Sequence, residues 1–352
     1  MKRTISLLVA GLFFGLFVLS SNSSWMKSLA QYRYASTSIW QPDKYRYGDL
    51  YGFSFLHDYR QTGFGFTELR PYYVHKKSPH SVELYSICDS YLWTFMPNDS
   101  LFSHANSYRF TRWGYEAKQF HLDSTKQNIL LLEIVERQLR TTLKDTAYIY
   151  KHLSVVNAAS KESEQPITPL SPVEGYVFNK NIEANLEFNL FDYSFFTPFK
   201  ELKARLNYSV FNRTNHDVVV SKTKRQLYYA PTIDSAATTS SFKKISAGEL
   251  AMMVTNLNRV YRHYRRAGFK QVYLAAMPNP VTILEPKLSN YNELIPRLQH
   301  HPALQMPVID VYISLQHHKS LPIYRVSDSH WDKDGFLLGV AQIDSVLATQ
   351  NK

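Results

Sequence analysis

Three short segments of strand chemistry, set around one well-bounded helix, constrain what this chain can fold into. Ile129 to Val135 (ILLLEIV) is a continuous apolar run, as expected of a strand covered on both faces. Val82 to Cys88 (VELYSIC) is a second β-rich run that stops at Asp89-Ser90, and Gln271 to Ala276 (QVYLAA) is a third. The helix before the third run is marked at both ends. Ser246 with Glu249 three residues on makes a capping box, and Gly268 suits the C-terminal cap. Between them Leu250, Met253, Val254, Leu257, Val260, Tyr261 and Tyr264 recur at helical spacing. Tyr291 to Leu304 is weakly helical, Val308 to Tyr312 (VIDVY) reads as a further strand, and Gly335 to Leu347 as the last helix. Strand, helix, strand with short connections predicts an α/β fold with a central, mainly parallel sheet sandwiched by helices. Sites in such folds lie at the carboxyl ends of the strands.

The N-terminus bears on the compartment. Met1-Lys2-Arg3-Thr4 is a basic head, followed by an apolar run from Ile5 to Leu19 and then Ser20-Ser21-Asn22-Ser23-Ser24. This is the charged, apolar, then small pattern of a secretory signal. The apolar run sits slightly below the ~17–25 residues that span a bilayer. With no obvious A-x-A cleavage site, an uncleaved anchor stays open beside a cleaved signal. The expectation is an exported domain, periplasmic or otherwise extracytoplasmic, released or tethered. Residues 1–24 are expected to be the signal or anchor and 25–352 the folded domain.

Residues 156–173 interrupt the α/β rhythm with Ser, Pro and mixed charge and read as a loop. Beyond it, Phe195 to Tyr208 looks like a basic amphipathic helix opening at Pro198, and Val218–Val220 with Gln226–Tyr229 like a hairpin. About 150–245 is therefore read as an insertion into one α/β domain. Over 352 residues, 44% hydrophobic and 20% charged content excludes a disordered, collagen-like or coiled-coil chain. The single cysteine, Cys88, excludes an internal disulfide framework and a cysteine-based zinc site. The net charge of +11 suits nucleic acid, anionic membranes and acidic polysaccharide alike.

Two places carry chemistry. Ser90 follows a strand end, where a sharp turn exposes its hydroxyl and a nearby helix start lets its N–H stabilise an oxyanion. An ordinary helix cap gives the same dipeptide. The second place is Val326-Ser327-Asp328-Ser329-His330-Trp331, ahead of the final helix. There Asp328 could orient His330 while the imidazole deprotonates a hydroxyl. A metal-ligand pair or a helix cap are alternative readings of Asp-x-His-Trp. Together Ser90, His330 and Asp328 supply nucleophile, base and orienter. Asp328, His330 and Asp332 could hold a divalent cation, but no second acidic cluster accompanies them. His300-His301 and His317-His318 point about 100° apart on a helix and do not suit one metal. Lys200, Lys203 and Arg205, with Lys222, Lys224 and Arg225, read as solvated faces or as steering for an anionic polymer or membrane. No cofactor and no metal are expected.

The Asp-x-His-Trp loop before a last helix, with Gly335 four residues after Trp331, resembles the signature of the SGNH-hydrolase-like acyltransferases, which include alginate O-acetyltransferase and DltD-like relatives. Asp89-Ser90-Tyr91 after a strand resembles their Gly-Asp-Ser nucleophile block, with Cys88 standing in place of the glycine. Glu133-Ile134-Val135-Glu136-Arg137 resembles an acidic-then-arginine block, and Ala276-Met277-Pro278-Asn279-Pro280 a Pro-centred loop of the same family. The resemblance covers roughly residues 80–140 and 246–345. It implies a three-layer fold with Ser90 as nucleophile, His330 as general base and Asp328 as its orienter. Asn279, Arg137 and Trp331 become candidates for oxyanion or substrate contacts, although Arg137 is more readily read as a salt-bridge partner of Glu133 or Glu136. The implied activity is ping-pong O-acyl transfer, usually of acetyl, onto a cell-surface polysaccharide, with an integral-membrane O-acyltransferase as donor and no nucleic acid involved. A carbohydrate esterase with the same triad, or a non-catalytic surface protein, are the competing expectations.

Overall fold

The structure, a computed structural model, describes residues 2–35, 40–43, 46–64, 66–73, 81–95, 98–115, 117–155 and 181–350. The loop read at 156–173 lies outside the described residues. In chain order, α1 (Lys2–Ser21) is an apolar helix long enough to cross a membrane. Strand β1 (Val82–Cys88) is buried at every position and runs into a single helical turn, α2 (Ser90–Trp93). Strands β2 (Ser107–Arg112) and β3 (Gln127–Val135) follow, the latter passing directly into α3 (Glu136–Thr142). Helices α4 (Ile182–Phe191) and α5 (Thr197–Phe211) come next, α5 with Pro198 in its first turn, where a missing N–H costs nothing. Strands β4 (Val218–Val220) and β5 (Leu227–Tyr229) form an antiparallel hairpin. Helix α6 (Ala247–Arg266) leads into β6 (Gln271–Met277), α7 (Pro280–Leu284) and, last, α8 (Lys333–Gln350).

The protein is α/β, built on a four-stranded sheet in the order β2-β1-β3-β6. Every pair in it is parallel, with Leu84 opposite Ile129 and Leu132 opposite Leu274. The continuous apolar runs are the reason. A strand covered on both faces has no solvent side on which polar residues would alternate. Helix α6 is bounded as its sequence dictates: the Ser246 hydroxyl accepts the Glu249 N–H at 3.1 Å, and Gly268 adopts φ 111° just past the end. A Cβ at Gly268 would also approach Leu122 to 3.3 Å.

One expected strand is corrected. In the 308–312 run only Val308 bridges, in parallel, to Leu274, with the Leu274 N–H donating to Pro307 O and the Ile309 N–H to Leu274 O. Asp310 then caps a helix over Val311–His317 by accepting the Ile313 N–H at 3.0 Å. The aspartate in the middle of VIDVY is a helix start, and an apolar run this short does not reveal that by periodicity.

By its contacts the chain divides into two compact units, one of Met1–Arg60 with Lys161–Thr214 and one of Gln61–Ser160 with Asn215–Lys352. The second unit holds the sheet. These bounds differ from an insertion over about 150–245, because the β4–β5 hairpin belongs with the sheet. The Leu227 N–H donates to Val326 O at 2.9 Å, and Gln226 Nε2 donates to Arg325 O at 2.6 Å. In the first unit, Asn185 and Asn189 of α4 donate to the carbonyl and hydroxyl of Ser20 at the end of α1. Helix α5 is held by Glu201, whose carboxylate accepts from Tyr51 Oη and Arg60 Nε, each at 2.6 Å.

Candidate active site

The turn that carries Ser90 is fastened to the end of the neighbouring strand. Asp89 closes β1 and uses each carboxylate oxygen once, accepting the Tyr91 N–H at 2.9 Å and the Val135 N–H at 2.6 Å. Its own N–H donates to Glu133 Oε2 at 2.7 Å. Glu133 has no exposed surface. Burial, with the Asp89 charge beside it, holds its carboxyl well above the usual glutamate range. Ser90 starts α2, and the first N–H groups of a helix have no partner within it. Its N–H is therefore suited to bind the oxyanion that forms on a carbonyl attacked by its own hydroxyl.

His330 is presented by a tight loop. Tyr324 and Trp331 form an antiparallel bridge, and the Arg325 N–H donates to His330 O at 3.2 Å. Gln61 straps this loop from far along the chain. Its Oε1 accepts the Val326 N–H at 2.6 Å and its Nε2 donates to Asp332 Oδ2 at 2.7 Å. The β4–β5 hairpin braces the same backbone at Arg325 and Val326.

These two supports bring three side chains into line. Ser90 Oγ lies 2.7 Å from His330 Nε2, and His330 Nδ1 lies 2.6 Å from Asp328 Oδ1. An Nδ1–H that donates to a carboxylate leaves Nε2 as the acceptor for the serine hydroxyl. Asp328 is buried, and its other oxygen accepts from Arg325 Nη1 at 2.7 Å. The bond to the guanidinium fixes that carboxylate in orientation. The arrangement can activate an alcohol for attack on an ester carbonyl.

The remaining sequence candidates are placed as follows. Arg137 is half-buried at the start of α3, with its guanidinium 5.5 Å from the Tyr91 ring centroid, one residue from the nucleophile. Its charge also opposes the upward shift of Glu133. Asn279 has no exposed surface. Its N–H donates to Glu136 Oε2 at 2.9 Å and its Nδ2 to Ser241 Oγ at 3.0 Å, so it is packing at the foot of α7 and is closed to a ligand. Trp331 is corrected in the same way. It is fully buried, with its indole N–H donating to Tyr91 O at 2.8 Å, and it offers no surface to a substrate.

The carboxylates considered for a cation are already used. Asp328 holds His330 and Arg325, while Asp332 accepts from Gln61 and from the Lys333 N–H. A divalent ion there would meet the guanidinium of Arg325 at the same carboxylate. Cys88, beside the nucleophile, is buried and its thiol is pushed well up by that burial, which suits packing rather than reactivity.

Reading the sequence missed Gln61, Arg325 and the pairing of Asp89 with Glu133. Arg325 stands three residues before Asp328, the spacing of a turn, which is a local signal. Gln61 has none, since its partners lie more than 260 residues away. No protein-family model, no curated protein and no solved structure matches the chain.

Proposed function

We propose that the protein is an extracytoplasmic O-acyltransferase of SGNH-hydrolase-like, three-layer architecture, acting on a cell-surface polysaccharide through an acyl-Ser90 intermediate. The observation that carries this reading is the continuous chain Ser90 Oγ, His330 Nε2, His330 Nδ1, Asp328, with both contacts under 3 Å. In the first half-reaction His330 Nε2 takes the Ser90 proton as Oγ adds to the donor ester carbonyl. The Ser90 N–H steadies the oxyanion, and collapse expels the donor alcohol, which receives the proton back from Nε2. In the second half a sugar hydroxyl adds to the acyl-Ser90 carbonyl, giving its proton to Nε2. Collapse then transfers the acyl group and returns the proton to Ser90. Asp328, locked by Arg325, stabilises the imidazolium in both halves.

The acetyl group, the polysaccharide acceptor and an integral-membrane O-acyltransferase as donor follow from the family resemblance. The bilayer-length apolar helix behind Lys2-Arg3 supports export. The test is purified protein with p-nitrophenyl acetate, with and without an oligosaccharide, followed by mass spectrometry of peptide and sugar. Acetyl on Ser90 together with acetylated sugar is the expected result. Acetyl on Ser90 with only free acetate released would make the protein an esterase, and no modification of Ser90 would refute both.

A further inference from the structure

Within the first unit, α5 turns two opposite faces to two different environments. Thr197 and Glu201 are buried, Glu201 being tied to Tyr51 and Arg60. On the opposite side Phe199, Leu202, Leu206 and Val210 follow one another at steps of three and four residues. They are 70%, 57%, 53% and 66% exposed. At 100° per residue these four fall on one stripe, almost diametrically across from Glu201. Lys203 and Arg205 are exposed and flank the stripe, one on each side.

A stripe of this kind is not an ordinary surface. The second unit, though larger, exposes among its described residues only Tyr72, Tyr115, Met252, Ile313 and Leu321 as large apolar side chains, set singly. Scattered residues of that sort need no explanation, whereas a contiguous apolar stripe marks a binding surface. What covers it is indicated by the same unit. Helix α1 is long and apolar enough to cross a bilayer, and its Ser20 end is hydrogen-bonded to α4, which a short turn joins to α5. Trp25, Tyr32, Trp40, Phe191 and Phe195 of this unit are exposed as well. Aromatic rings gather where a membrane meets water, and flanking basic residues suit anionic headgroups.

We infer that α5 is a lipid-docking helix, its Phe199–Leu202–Leu206–Val210 stripe seated in the interface of an anionic bilayer at the Ser20 end of α1. The docking does not depend on the chemistry at Ser90. The test uses the full chain, whose single native cysteine is buried, so that cysteines introduced by Leu206→Cys and Val210→Cys can each be labelled alone. The labelled proteins are reconstituted in vesicles of equimolar phosphatidylethanolamine and phosphatidylglycerol. Fluorophores at positions 206 and 210 should shift to the blue, be quenched by lipids brominated in the acyl chain, and escape aqueous iodide. Iodide quenching at 206 and 210 equal to that of the free fluorophore–cysteine adduct in the same suspension overturns the proposal. So does protection from both quenchers accompanied by dipolar broadening between nitroxides at 206, which would make the stripe a contact between two copies.

Discussion

Trp331 donates its indole N–H to the main-chain carbonyl of Tyr91 at 2.8 Å, and Tyr91 returns the contact by donating its hydroxyl to Ser329 O at 2.5 Å. The residue after the nucleophile and the residues on either side of the base thus hold one another across 240 positions of chain. Because both bonds are buried, breaking either one would leave polar groups without water, which costs more than the bond itself contributes. The registration of Ser90 against His330 is therefore set by their neighbours as much as by their own contact.

The triad makes a graded prediction. Ser90→Ala should abolish acyl-enzyme formation, and His330→Ala should lower kcat/KM by about 10²–10⁴-fold, the usual worth of a general base. Asp328→Asn should fall by about 10⁴-fold, because an amide in that place favours the wrong imidazole tautomer. Ester turnover with unchanged circular dichroism checks all three. A variant of Ser90 that retains turnover would remove the serine mechanism.

Arg325 is a positioning residue and should behave differently. Arg325→Met leaves Asp328 with one partner fewer, and a charge-assisted hydrogen bond is worth about 1.5–3 kcal/mol. A decline in kcat of about 10–100-fold with KM little changed is expected, since the guanidinium acts on the orientation of the base. Arg325→Lys should recover only part of the loss, because an ammonium lacks the planar fork. An Arg325→Met enzyme with kcat intact and KM raised would show that the guanidinium binds substrate instead.

Gly335 and Gly339 of α8 face Trp331. A Cβ on Gly339 would come 2.6 Å from the indole ring, and one on Gly335 would collide with the Ile323 carbonyl and lie 2.9 Å from Trp331 Cβ. Gly339→Ala should destabilise by about 1–3 kcal/mol, the range for overpacking a tight core, and reduce turnover as the indole shifts away from Tyr91. Gly335→Ala should be worse, since a backbone atom cannot rotate aside. Urea midpoints for the two variants order them, and Gly335→Ala matching the parent protein would refute the account.

Glu133 gives a pH prediction with a definite sign. Its folded carboxyl is raised well above the ordinary glutamate value of 4.5, so above that value the unfolded chain releases a proton that the folded chain retains. Stability should therefore be full below about 4.5 and decline as pH rises toward the folded value. Glu133→Gln keeps an acceptor for the Asp89 N–H and removes the titration. Its melting temperature should fall less between about pH 5 and about pH 8 than that of the parent protein. Identical pH slopes for the two proteins would contradict a raised Glu133 carboxyl.

The parts legible in the sequence were those encoded locally. Apolar continuity revealed β1, β3 and β6, and the Ser246 cap with Gly268 bounded α6. Ser90 and the Asp328–His330 pair could be named because each sits beside an element end that the sequence marks. Their partnership was visible only through chemistry, as complementary groups in need of each other. What escaped notice acts across space. Gln61 reads as one polar residue among many until its amide is seen satisfying Val326 and Asp332. Asn279 and Trp331 were plausible ligand contacts from sequence, but burial and committed hydrogen bonds gave them to the framework. The VIDVY run failed for another reason, since an aspartate that starts a helix and one that interrupts a strand look alike over five residues.

The 240-residue gap between Ser90 and His330 also orders events in time. A chain made from its N-terminus carries Ser90 as an unremarkable alcohol through almost the whole of its synthesis. On the proposed mechanism that alcohol would become reactive only when residues 325–331 arrive and dock on Tyr91. A product truncated before residues 325–331 would thus keep the β1 turn and lack the imidazole that the proposed acyl transfer requires.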